Sequence, residues 1–274
     1  LIIDAYREMK NYYCKSYSPI VEFFTGFLHS TMSCPNPTCG FVSNKFDAFQ
    51  HLSLPIPNVR NTNALYNPSN DSFATHDTGL LHQTSHQTSH QTSHQMIHDL
   101  HQRRLAAVAA RMHEQNMNIP NCTIYDCFNE FTKEEILDQD NLWKCEGCND
   151  RVRGIKKLKL WEAPQVLAIQ FKRFNMSRGT KNDRLIQFPL TDLDISDIVS
   201  PVDHNSDKCY KYTLQCVINH SGGVGYGHYT AYCRDEDTNK WFIYNDTQVD
   251  EVSPEVVVSK SAYLIVYLRQ DLLV

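Results

Sequence analysis

Four of the ten cysteines in this 274-residue chain fall in two close pairs: Cys34 and Cys39 in CPNPTC, and Cys145 and Cys148 in CEGC. Each pair can present two thiolates from one tight turn, and two such turns complete the tetrahedral shell that zinc requires. Pro35, Pro37, Gly40 and Gly147 shape both turns. A shell filled by four protein ligands would make the Zn2+ structural. The alternative is four reduced cysteines that happen to lie in turns. The second reactive stretch is His220–Val249, HSGGVGYGHYTAYCRDEDTNKWFIYNDTQV. Gly222, Gly223, Gly225 and Gly227 predict a mobile loop open to close approach, and His228 begins the strand after it. A strand at Trp241–Tyr244 would return antiparallel and bring Asn245 and Asp246 level with His228. An imidazole beside an amide or carboxylate is the base and orienting group of a Cys-His-Asn or Cys-His-Asp triad. Taken alone, the stretch also fits a glycine-rich hairpin with a surface histidine.

Positioning these groups needs both helix and sheet. Ile2, Tyr6, Met9 and Tyr13 form a helical stripe. Val21–Cys34 and Val42–Pro55 read as extended segments, a hairpin with CPNPTCG at its tip. Thr123–Asp138 reads as helix, with Thr132 and Glu135 spaced as a capping box. From about Lys156 the chain turns β-rich, with apolar and β-branched runs at Ile155–Leu160, Gln165–Phe174, Tyr210–Asn219, His228–Arg234, Lys240–Asn245 and Ala262–Leu268. Short connections between the later strands imply antiparallel pairing. The expected class is α+β.

Residues 58–120 differ from their surroundings. They hold 8 of the 13 histidines, no cysteine and no net charge, and His-Gln-Thr-Ser repeats through His82–Ser93. Such a tract has too little apolar surface to offset its ordering entropy. The expectation is an insertion, mostly disordered, with a helix near 95–116. His82, His86, His90 and His94 would line one helical face and offer a metal site, or they record a simple-sequence expansion. With the insertion set aside, the 106-residue separation of Cys39 and Cys145 becomes an ordinary gap. The net charge of −5 removes the strongest reason to expect nucleic acid or an anionic membrane. No membrane insertion and no secretory signal are expected, and thiols in metal-like pairs suit a reducing, cytoplasmic address, with nuclear or endosome-associated variants.

Tyr226–Tyr232 (YGHYTAY) and Trp241–Val249 (WFIYNDTQV) resemble the histidine box of the ubiquitin-specific proteases. Phe24–Cys34, Phe46–Pro55, Leu167–Phe174, Phe188–Ile195 and Ala262–Tyr267 resemble further segments of that family in the same order. The resemblance spans nearly everything outside 58–120. It implies a papain-like thiol protease fold: an antiparallel palm sheet, zinc-ribbon fingers and a helical thumb, the last largely missing here. On this reading residues 1–274 are a partial catalytic domain.

The resemblance also assigns roles. His228 is the general base, Asn245 orients it, and Asp246 supports them. Cys34, Cys39, Cys145 and Cys148 hold structural Zn2+, although the C-x4-C knuckle departs from the family's commoner C-x2-C. Gly222, Gly223, Gly227 and Tyr229 line the site for the substrate tail, with Ser221–Gly227 as one gating loop and about 175–185 as the other. The implied partners are ubiquitin and ubiquitinated proteins. The family's Gly-Asn-x-Cys nucleophile box has no counterpart in these residues, so the expectation is a deubiquitinase domain inactive as this fragment. The other readings are an inactive ubiquitin-binding scaffold and a zinc-ribbon module unrelated to ubiquitin, which would leave the histidine box unexplained.

Overall fold

The computed structural model describes residues 1–57, 122–200 and 208–272. The tract 58–120, with its expected helix near 95–116, therefore lies outside the described residues. Helix α1 spans Ile2–Ser16. It packs Ala5, Met9, Tyr12 and Tyr13 against Phe27, Phe46 and Trp161. Ile2 and Tyr6, expected on the buried stripe, are 49% and 60% exposed, so the packed face is rotated from that expectation. A second correction follows at α2, Pro19–Phe24, where an extended segment was expected from Val21. Ser18 Oγ accepts from Val21 N–H at 3.1 Å. Proline at the first helical turn presets φ, and together these start a helix in a stretch whose composition reads as strand.

Strands β1 (Gly26–Ser33) and β2 (Val42–Phe49) pair antiparallel from Gly26↔Phe49 to Ser33↔Val42. The first cysteine pair sits at the tip of this hairpin, as its sequence implies. Short β3 spans Leu52–Leu54, and α3 spans Ile124–Thr132. The capping box is real but lies elsewhere than expected. Asp126 N–H donates to Thr123 Oγ1 at 3.2 Å, and Thr123 N–H donates to Asp126 Oδ2 at 2.7 Å. Thr132 instead ends the helix, and Glu135–Ile136 leaves it to pair with β4, Ile155–Glu162. One sheet is thus four-stranded, in the order β2, β1, β4 and Glu135–Ile136.

The larger sheet takes β5 (Val166–Phe171), β6 (Lys211–Gly223), β7 (Tyr226–Arg234), β8 (Trp241–Asn245), β9 (Gln248–Val252) and β10 (Ala262–Arg269). Its order is β9, β8, β7, β6, β10, β5, β3, and Leu193–Asp194 pairs on β6 as the eighth strand. Every pairing is antiparallel except β3 with β5, where Leu52↔Ile169 run parallel. Alternation sends Leu167, Ile169 and Phe171 of β5 to one face, where they meet Leu214, Val217, Ile265 and Tyr267. Ile124, Cys127 and Phe128 of α3 join that core. The outcome is the α+β class expected, with the sheet built mainly from residues after 155. No helix of the described residues is long and apolar enough to cross a membrane.

Candidate functional site

The glycine-rich stretch is more ordered than its composition implies. β6 and β7 stay paired as far as Gly222↔Gly227 and Gly223↔Tyr226, leaving Val224 and Gly225 to make the turn. Gly225 has φ +88°, a left-handed geometry that glycine adopts without strain. His228 therefore lies within β7 rather than at its start, opposite Ser221. β8 returns beside β7, with Ala231↔Tyr244 the last paired residues before Asn245.

The turn between them is held by Asp235, whose Oδ1 accepts from Thr238 N–H at 2.8 Å and Thr238 Oγ1–H at 2.6 Å. These bonds hold the Asp235 carboxyl below its ordinary value. With the hairpin closed this way, His228 Nε2 and Asn245 Oδ1 meet at 2.6 Å. The amide oxygen only accepts, so the ring proton resides on Nε2 and Nδ1 keeps its lone pair for a proton. Asp246 stands farther off, with Oδ2 4.0 Å from Nε2 and its side chain 80% exposed. Its φ of +52° marks the tight β8–β9 turn. His228 and Asn245 are thus brought together, and Asp246 is a neighbour without a hydrogen bond to the ring.

Behind this pair lies a buried residue that sequence reading did not single out. His220 is 4% exposed, with ring centroids 4.8 Å from Tyr229 and 5.2 Å from Phe174. Its Nε2 occupies the place a Cβ on Gly227 would take. Burial, and secondarily the Lys181 ammonium, lower its pKa. Lys181 Nζ donates to His220 O at 2.8 Å, which ties the 175–185 segment to β6. Arg173 anchors the same segment from inside. It is 1% exposed and donates from Nε to Ala262 O at 2.7 Å and from Nη1 to Asn182 O and Arg184 O at 2.8 and 2.9 Å. The only sequence signal for that role was its place between Phe171 and Phe174 at the end of an apolar run. Tyr229, by contrast, is 54% exposed.

The four paired cysteines converge as their spacing implied. Their Sγ atoms all lie within 4.8 Å of one another, with Cys34 to Cys148 at 3.8 Å and Cys39 to Cys145 at 3.7 Å. Sulfurs bound tetrahedrally to zinc at about 2.3 Å stand about 3.8 Å apart, so these separations fit a metal centre. Cys34 N–H donates to Phe41 O at 3.0 Å and Cys145 N–H to Asp150 O at 2.9 Å, closing each turn. Phe41 and Trp143 stack between the two hairpins at 6.1 Å. Gly147 is required by proximity, because a Cβ there would meet Cys39 Sγ at 2.8 Å.

Comparison with known proteins places this geometry in a lineage. The family model described as ubiquitin carboxyl-terminal hydrolase matches residues 4–267. A probable ubiquitin carboxyl-terminal hydrolase of Acanthamoeba polyphaga mimivirus is 39% identical over 272 residues, 99% of this chain but 46% of that protein. Ubiquitin carboxyl-terminal hydrolase 15 of Homo sapiens is 37% identical over 182 residues, 63% of this chain and 18% of its own length. The chain thus spans less than half of either relative. Among solved structures, a chain of the SAGA DUB module bound to monoubiquitin shares the fold with a TM-score of 0.60 at 24% identity, covering 93% of this chain and 42% of that one. A chain of the yeast SAGA DUB module gives 0.61 at 24% identity over 96% of this chain and 45% of its own. Because the family model runs through the histidine hairpin and both cysteine turns, the chain belongs to the ubiquitin carboxyl-terminal hydrolase family.

Proposed function

We propose that this chain carries the histidine side of a thiol-dependent deubiquitinase site, which cleaves the peptide or isopeptide bond after the C-terminal glycine of ubiquitin. The observation that carries the reading is the 2.6 Å bond between His228 Nε2 and Asn245 Oδ1. It leaves Nδ1 to take the proton of a thiol, and the thiolate attacks the glycine carbonyl carbon. His228 then returns the proton to the leaving amine, and water hydrolyses the thioester with the same imidazole as base. Asn245 keeps the ring in one tautomer throughout, with Asp246 as its supporting neighbour. Gly222, Gly223, Gly227 and Tyr229 form the wall along which the extended ubiquitin tail runs. Ubiquitin as partner is supported by the family match and by the monoubiquitin that the SAGA relative binds.

Zn2+ is the metal that best suits four thiolates at these separations, and it would be structural, stiffening the two cysteine turns. All ten cysteines are free, which suits a reducing compartment such as the cytoplasm. No cysteine of the sequence stands in a Gly-Asn-x-Cys context, and this supports the further reading that the thiol is supplied from outside these residues and that they alone do not turn over substrate.

The test pairs two assays on residues 1–274. Ubiquitin should bind in a way that weakens when its C-terminal tail is removed, and a fluorogenic ubiquitin ester should not be turned over. Failure to bind ubiquitin would overturn the reading. Turnover abolished by His228→Ala would overturn the assignment of the nucleophile outside this chain.

A further inference from the structure

A second thiol pair lies in the sheet that carries His228. Cys216 on β6 and Cys233 on β7 are directly paired across the ladder, and their Sγ atoms are 3.5 Å apart. Opposed residues of an antiparallel pair have Cα atoms roughly 4.5–5.5 Å apart, inside the range of about 4.4–6.8 Å that a disulfide spans. The sulfurs can therefore bond through side-chain rotation without moving either strand. Both residues are half-buried, and both thiols are free.

The other close thiols differ. Cys122 and Cys127 are shut in the core, and the remaining cluster is the metal centre. Cys233 is also primed to react: its hydrogen bond with Cys216 brings its thiol down to about 7 against the opposing effect of burial, while the same bond and burial push Cys216 up. A thiolate on one sulfur is stabilised by the S–H of the other, which suits an attacking and a resolving thiol.

We infer that Cys216 and Cys233 form a peroxide-driven, thiol-reversible cross-strand disulfide, a modification site in the hairpin that bears His228. The Cys233 thiolate attacks one oxygen of hydrogen peroxide, the O–O bond breaks, and the departing hydroxide takes up a proton to leave as water. Cys216, giving up its proton, then attacks the sulfur of the Cys233 sulfenic acid. The S–O bond breaks, the S–S bond forms, and the second oxygen leaves as water. Two thiols lose two electrons together and one peroxide becomes two waters. A dithiol reductant reverses the step by exchange. The bond would staple β6 to β7 five residues beyond His228, on the strand that fixes the base.

The inference is independent of ubiquitin cleavage and is tested on the intact, zinc-loaded chain with hydrogen peroxide. Peptide mapping without reductant should recover the segments containing Cys216 and Cys233 joined and lighter by two hydrogens, and dithiothreitol should separate them. In Cys216→Ser the cross-link should vanish, and dimedone should trap Cys233 as its sulfenic acid. Circular dichroism matching that of the unaltered chain shows that this variant is folded. Oxidation confined to the metal-site cysteines, or Cys233 carried to sulfinic acid in the unaltered chain with no joined peptide, would overturn the inference.

Discussion

The ring of His220 fills the space that any side chain at Gly227 would need, one residue before His228. A methyl group there would also meet Ser221 O at 2.7 Å, so neither the ring nor the backbone of β6 can yield cheaply. Gly227→Ala should therefore destabilise the chain by about 1–3 kcal/mol, the usual cost of overpacking. Gly223→Ala is the contrast. Its new methyl would meet only the exposed Tyr226 ring at 3.3 Å, and the loss should stay within about 0.5 kcal/mol. Denaturant midpoints for the two variants check the difference, and equal losses would contradict the packing described.

Asn245→Ala removes the acceptor that holds the proton on His228 Nε2. In the unaltered chain, long-range proton–nitrogen spectra should report the Nε2–H tautomer of His228. In the variant they should report a mixture. An unchanged tautomer would mean that Asn245 does not orient the ring.

The Asp235 turn predicts a pH dependence. Its carboxyl is held low mainly by the Thr238 hydroxyl and then by the Thr238 N–H, so the folded value lies below the unfolded one. The charged form stabilises the turn at pH above the ordinary aspartate value, and the contribution is lost as pH falls through the lowered folded value. An NMR titration should place Asp235 below the other turn aspartates, and Thr238→Val should bring it back up. No movement in Thr238→Val would disprove the cause.

Arg173→Lys keeps the charge but cannot reproduce the bonds to three carbonyls in a nearly sealed site. The expected loss is about 2–4 kcal/mol, read from chemical denaturation. Hydrogen exchange should quicken in the 175–185 segment before the rest of the sheet. Uniform loosening would argue that Arg173 serves the core alone.

Removal of zinc is a separate matter. About one equivalent per chain is expected by atomic emission, falling to near none in Cys145→Ser, with a lower melting temperature after chelation. A metal-free chain of unchanged melting temperature would refute the site.

Legibility from sequence depended on how local the causes were. The His228–Asn245 pairing was readable because one hairpin, with DEDTN as its turn, carries both residues. The cysteine cluster was readable because each half is a tight turn with its own prolines or glycine, and only the number of residues between the halves obscured it. The helix at Pro19–Phe24 was misread because PIVEFF has the composition of a strand, while its cause, a serine cap and a proline, occupies two positions. The box at Thr123 and Asp126 was overlooked because aspartate stands where glutamate is usual. Arg173 and His220 were not legible as supports, since their partners are backbone atoms and rings brought up by tertiary packing.

The separation of the two cysteine turns has a consequence in time. Cys39 leaves the ribosome 106 residues before Cys145. At roughly 5–20 residues per second, the first turn waits about 5–20 s with two open thiols before its partners exist. The cluster cannot close during that interval, so the β1–β2 hairpin begins its life unclamped. Its completion waits until the whole intervening tract has been made.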